Sequence, residues 1–154
     1  MKKYKYILIP VLICYLIGII ASVFQKDSIK NWYPHLNKPA LTPPDAAFPI
    51  AWSTIYLCIG VSIGLILLSK SDKKKPLVKL FGTQLFLNFA WSILFFFFRS
   101  PAMGMIDILL LDFFVTKYAV KSYPVKKASS MLFWPYMAWI YFATYLNGYI
   151  LKNN

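Results

Sequence analysis

AAFPIAWSTIYLCIGVSIGLILLS, residues 46–69, is an uncharged run of twenty-four residues. A helix needs about 20 such residues, at 1.5 Å each, to cross a hydrocarbon core of about 30 Å. In lipid every backbone amide must pair within its own segment or a closed barrel, so the run reads as a membrane-crossing helix. Four further runs resemble it. Residues 6–24 and 80–98 are uncharged stretches of nineteen, 128–151 is uncharged, and 100–117 is apolar apart from Asp107, Asp112 and the closing Lys117. The expected fold is all-α: an integral membrane bundle of five transmembrane helices, a single domain over 1–154, with a long first connection at 25–45. Residues 1–5 resemble a signal-peptide amino-terminal region. The apolar run behind them lacks a small-x-small cleavage site, so a retained first helix is expected.

Composition agrees. Hydrophobic residues make up 59% of the chain and charged residues 14%, against roughly 25% charged in an average soluble chain. The acids are five aspartates with no glutamate, and there is one histidine, His35; paired-carboxylate chemistry has little to draw on. Cys14 and Cys58 lie within apolar runs without metal-ligand spacing and are expected to be buried reduced thiols. The net charge of +12 flanks the apolar runs instead of lining one amphipathic face, so a lipid bilayer, and no nucleic acid, is the expected partner. Twelve of the seventeen cations fall on the amino-terminal side of the bundle and five on the other. By the positive-inside rule the amino terminus is cytoplasmic and the first loop outside. A bacterial inner membrane is the expected location.

The first connection is stiff. Pro34, Pro39, Pro43 and Pro44 fix φ and withhold amide donors, which excludes a helix interior or a central strand. Pro49 falls where a following helix begins. Trp52 and Tyr56 then stand one turn apart on one face. Two readings fit these aromatics: interfacial anchors at the headgroup level, or one wall of a site for a large flat apolar ligand. Asn88, Trp91 and Phe95 likewise share a face, with Asn88 either bonding across helices as packing glue or lining a cavity. Asp107 and Asp112 are about 140° apart around a helix, so they form no dyad; each is expected to face protein or water, and Asp112 to serve as a structural hydrogen-bonding group. Tyr136, Trp139, Ala143 and Asn147 repeat at helical spacing. Gly60 and Gly64 allow a close helix approach, either within the chain or at a homodimer seam. Leu146, Tyr149 and Lys152 fit a loose sterol-contact pattern.

Several of these blocks carry a resemblance. Trp32-Tyr33, Lys38-Pro39, Thr42-Pro43-Pro44, Phe48-Pro49 and then Trp52 and Tyr56 resemble the first loop and second helix of the TspO/MBR family, the tryptophan-rich sensory and translocator proteins. Asn88-Phe89-Ala90-Trp91-Ser92 with Phe95-Phe96 is similar to the family's third helix, Gly104-Met105-Ile106-Asp107 to its fourth, and the stretch from Trp134-Pro135-Tyr136 to Asn147 to its fifth. The resemblance implies a pocket beneath the first loop. Its ligand-binding residues would be Trp32, Pro39, Pro43, Pro44, Phe48, Trp52, Tyr56, Asn88, Trp91, Phe95, Asp107, Trp139, Phe142, Ala143, Leu146 and Asn147. It implies porphyrins, protoporphyrin IX or haem, as ligands, and sterol-like molecules as a further class. No cofactor is required, and no catalytic residue or metal ligand is assigned. Leu41 and Met103 stand where many members carry tryptophan.

The expected function is that of a membrane receptor or sensor for tetrapyrroles. The alternatives are an enzyme degrading porphyrin in light and a transporter of tetrapyrroles or sterols. Against the enzyme stand the missing tryptophans and the lack of any nucleophile, base and orienting group in one set. Against the transporter stands the lack of internal repeats or interrupted helices.

Overall fold

In the computed structural model, which describes residues 2–154, every apolar run is helical; Met1 lies outside the described residues. Helix α1 spans Lys5–Asn31, a short 3-10 turn follows at Tyr33–His35, and α2 spans Ala47–Leu68. Helix α3, Lys74–Trp91, runs on into a wider π-helical turn at Ser92–Phe97. Helix α4 spans Pro101–Ser122, a short α5 spans Lys127–Met131, and α6 spans Trp134–Asn153. The five long helices form the bundle.

Four boundaries differ from those expected, one of them the end of α4, which runs five residues past Lys117 to Ser122. Helix α1 continues seven residues past Phe24, so the first connection begins at Trp32 instead of Gln25. Its polar last turns have partners: Asp27 pairs with Arg99 at 2.6 Å, Ser28 donates to the carbonyl of Phe96, and Asn31 donates to Asp27 at 2.7 Å. Helix α3 starts six residues before Leu80, because the lysines of 74–79 are tolerated in a helix that projects beyond the apolar core. The run 128–151 breaks at Leu132–Phe133, just ahead of Pro135, whose ring sits in the first turn of α6, where no amide hydrogen is needed.

Close approach between α1 and α2 sets the packing. A Cβ on Gly60 would lie 2.6 Å from Val11 Cα, and one on Gly64 2.7 Å from the carbonyl oxygen of Tyr6. Of the two roles open to these glycines, the internal contact is the one formed: α1 occupies their face. At the basic end, Ser62 and Ser129 exchange hydrogen bonds, each hydroxyl donating to the other's carbonyl at 2.7 and 2.9 Å, with the hydroxyl of Tyr118 beside them. This ties α2 to α4 and α5. Beneath it, Phe81, Tyr118, Phe133 and Tyr136 form a buried aromatic core.

The outer surface is apolar. Val23 on α1 and Phe86 on α3 are 70% and 68% exposed, and Ile106 and Phe113 on α4 are also exposed. Water would not support such a belt, whereas hydrocarbon does. The stretches Lys5–Asn31, Ala47–Leu68 and Lys74–Phe97 are each long and apolar enough to cross a membrane. Helix α4 carries its aspartates inward, against α6, and crosses as part of the bundle. Cys14 is buried, while Cys58 is only half-buried, a correction to the expectation for it; both are free thiols.

Candidate ligand-binding cavity

Beneath the first loop, α1, α2, α3 and α6 enclose a cavity of about 470 Å³, within the size range of small-molecule and cofactor sites. Each wall follows from helical spacing. Helix α2 contributes Phe48, Pro49, Trp52 and Tyr56; α3 with its π turn contributes Asn88, Trp91, Ser92 and Phe95; α6 contributes Trp139, Ala143, Leu146 and Asn147. The rings hold one another in place. Trp52 stacks on Tyr56 with centroids 5.6 Å apart, Trp91 on Phe95 at 4.9 Å, and Phe48 meets Trp139 edge-on at 5.7 Å. Offset and edge-to-face pairs of this kind are favourable ring arrangements.

The polar groups in the walls are largely satisfied by the protein. Tyr56 Oη donates to Asn88 Oδ1 at 3.3 Å, Asn88 Nδ2 donates to Tyr136 Oη at 2.8 Å, and Tyr136 donates in turn to Gln84 Oε1 at 2.8 Å. Asn147 accepts from Trp91 Nε1 at 3.0 Å and donates to the carbonyl of Pro101 at 2.8 Å. Gln25 Nε2 donates to Ser92 Oγ at 2.7 Å. Both asparagines therefore do two jobs at once, bonding across helices and lining the cavity, so the two readings of Asn88 merge. The wide turn matters here. A π segment brings Ser92, Phe95 and Phe96 to the cavity together, and such turns are frequent at functional sites.

Ten of the residues implied by the resemblance line the cavity, and six do not. Trp32 follows the end of α1 and packs edge-on against Phe95 at 5.6 Å, outside the lining. Pro39, Pro43 and Pro44 lie in the arch of the loop, where Thr42 bonds back to the carbonyl of Pro39; the chain reaches the cavity only from Asp45 onward. Asp107 is 5% exposed on α4, which supplies no lining residue. Phe142 packs between Trp139 and Tyr145, at 6.1 and 6.2 Å, and turns away from the cavity. Asp112 accepts a hydrogen bond from Thr144 at 2.7 Å, the structural role expected of it. Leu41 and Met103 are exposed and lie outside the lining.

Sequence reasoning missed the α1 wall. Tyr15, Gly18, Ser22, Gln25 and Ile29 line the cavity, at spacings of three and four. Small and polar residues on that stripe of an otherwise aliphatic helix were the signal available. Gly18 is required sterically: a Cβ there would lie 2.4 Å from the ring of Tyr56. Among the described residues, no group of three or more His, Cys, Asp or Glu side chains is placed to hold a metal ion.

Fold and cavity together define a multi-pass helical membrane protein with an aromatic-walled chamber near one end. The TspO/MBR family model matches residues 10–152, and the chain belongs to that family, whose architecture is a bundle of five transmembrane helices. The tryptophan-rich protein TspO of Archaeoglobus fulgidus is 39% identical over 90% of each chain. That of Chlorobaculum tepidum is 35% identical over 92% of this chain and 91% of its own. The human translocator protein is 30% identical over 88% of this chain and 82% of its own.

Proposed function

We propose that the protein is a membrane receptor that binds a porphyrin, protoporphyrin IX or haem, in the cavity beneath the first loop. The observation that carries this reading is the cavity wall: two stacked aromatic pairs, Trp52 with Tyr56 and Trp91 with Phe95, come from different helices and border one space of about 470 Å³. A large flat apolar ligand gains most from such surfaces. Because Asn88 and Asn147 are already bonded to protein, the lining offers mainly ring faces, with few polar groups left to claim. The excess of cations at the end bearing Lys2, Lys73 and Lys127 supports a cytoplasmic amino terminus, with the cavity toward the opposite face.

The test is a titration of the purified protein with protoporphyrin IX in the dark, following tryptophan fluorescence. Saturable quenching at about one porphyrin per chain, weakened in a folded Trp52→Phe/Trp139→Phe variant, is the expected result. Quenching that rises without saturation, or is equal in that variant, means partition into detergent and rejects the reading.

A further inference from the structure

A second hollow lies on the lipid-facing side, between α1 and α3, and shares no lining residue with the first. It is an open groove of about 320 Å³ bordered by Ile17, Ile20, Gly82, Leu85, Phe86 and Phe89. Gly82 makes the notch: a Cβ built there meets nothing within 4 Å. One end is closed where Phe24 meets Phe89 edge-on at 6.1 Å. Along α3, Gly82, Phe86 and Phe89 continue a single stripe that begins with Lys75 and Lys79, at spacings of four, three, four and three, within about 80° of arc. Both lysines are exposed, and neither forms an ion pair among the described residues.

We infer that this groove is a site for one anionic glycerophospholipid of the leaflet at the basic end, its acyl chain lying over Gly82 and its phosphate held by Lys75 and Lys79. The dimensions agree. From Lys79 to Phe89 is ten residues, about 15 Å along the helix, which is one leaflet of a hydrocarbon core of about 30 Å. The chain meets only apolar side chains, and the Phe24–Phe89 contact stops it near mid-bilayer. Charge selects the headgroup. The two cations lie at the only end of the stripe where a headgroup can sit, and their flexible stems allow the ammonium groups to reach the phosphate plane. A zwitterionic lipid fills the groove equally well but carries no net charge for the lysines to attract.

The experiment counts lipids retained by the intact protein in native mass spectrometry, after incubation with palmitoyl-oleoyl phosphatidylglycerol or the matching phosphatidylcholine. The wild type is expected to hold one phosphatidylglycerol in clear preference. A juxtamembrane lysine is worth about fivefold in attraction to an anionic lipid, so Lys75→Gln/Lys79→Gln is expected to lower that preference by about 30-fold while one lipid of either kind is still retained. Gly82→Leu, which fills the notch, is expected to abolish retention of both. Phe86→Ala, which removes an exposed wall without entering the core, is expected to lower it several-fold and checks the result should Gly82→Leu fold poorly. Equal retention of the two lipids by the wild type, or unchanged retention in both groove variants, overturns the inference. Porphyrin binding is not involved in either outcome.

Discussion

The indole N–H of Trp91 on α3 donates to the amide oxygen of Asn147 on α6 across 3.0 Å, and the same amide donates to the carbonyl of Pro101 at the start of α4. One side chain thus joins three helices and fixes the angle of a cavity ring. Asn147→Leu keeps the volume and removes both bonds. Leaving the indole donor and the carbonyl unpaired costs about 1–3 kcal/mol each way such groups are measured. A lower thermal midpoint in detergent, together with weaker porphyrin quenching, is the expected outcome; a midpoint equal to that of the wild type would deny the bridge any structural weight.

Gly18→Ala tests the α1 wall. The added methyl would stand 2.4 Å from the Tyr56 ring, which stacks on Trp52 and donates to Asn88. Displacing that ring disturbs three lining residues through one methyl. Porphyrin affinity should fall about tenfold, equivalent to about 1.4 kcal/mol. Gly82→Ala, with open space around it, should leave affinity unchanged and raise helix stability by up to about 1 kcal/mol.

Gly60→Leu and Gly64→Leu bear on assembly. Both positions face the α1 backbone at under 3 Å, so the larger side chain must part α1 from α2, at a cost of about 1–3 kcal/mol. The expected signature is a lower melting temperature at unchanged particle mass by light scattering. A loss of dimers with unaltered melting would instead move these glycines to an interface between copies.

The first loop is fastened at its outer end. Asn37 donates through its backbone to Asn154 Oδ1 at 2.9 Å and through its side chain to the carbonyl of Asn153 at 3.1 Å, and Asn154 donates back to the Asn37 carbonyl at 3.1 Å. Lys38 Nζ adds a bond to the carbonyl of Tyr33 at 2.8 Å. Asn37→Ala removes the one of the three asparagine bonds that uses its side chain and leaves the two on its backbone. Amides of 36–46 should exchange with solvent several-fold faster in this variant, with the helices unaffected; equal exchange would show that the prolines alone hold the loop.

Tyr33, at the cavity mouth, has its phenol pKa raised by burial and, second, by the charge of Asp45. A raised folded value means that its contribution to loop packing is complete below the ordinary tyrosine pKa of about 10 and is lost as pH climbs through the folded value. Asp45→Asn should therefore bring tyrosinate formation to lower pH, but only partly, because burial remains. The difference in tyrosinate absorbance against a Tyr33→Phe blank measures it.

The helices were legible because lipid leaves so few options. Uncharged runs near twenty residues long must close their own amides, and that logic located all five long helices. It failed at their ends, where polar residues such as Asp27 and Ser28 stay helical because Arg99 and the Phe96 carbonyl, some seventy positions away, supply partners. Local sequence holds no sign of that. The walls from α2, α3 and α6 were legible because aromatics at spacings of three and four stand out. Helix α1 stood out less, since its stripe of Tyr15, Gly18, Ser22, Gln25 and Ile29 mixes small, polar and aliphatic residues instead of repeating aromatics. Asp107, whose place in the site rested on the resemblance alone, is buried on α4 outside the cavity lining.

The wide turn at Ser92–Phe97 carries one more residue than an ordinary helical turn would, with the Phe98 amide bonded back to the carbonyl of Ile93, five positions earlier. A single surplus position is therefore absorbed within one turn. Deleting one residue there would let the segment close as a regular helix, and the chain beyond it, beginning with the Arg99 corner and its left-handed φ of 52°, would leave in nearly the same direction, because the wide turn holds its extra residue within a single turn. The surplus residue therefore serves the cavity wall and not the course of α4: a chain one residue shorter there would keep its path and change which of Ser92, Phe95 and Phe96 meet the cavity.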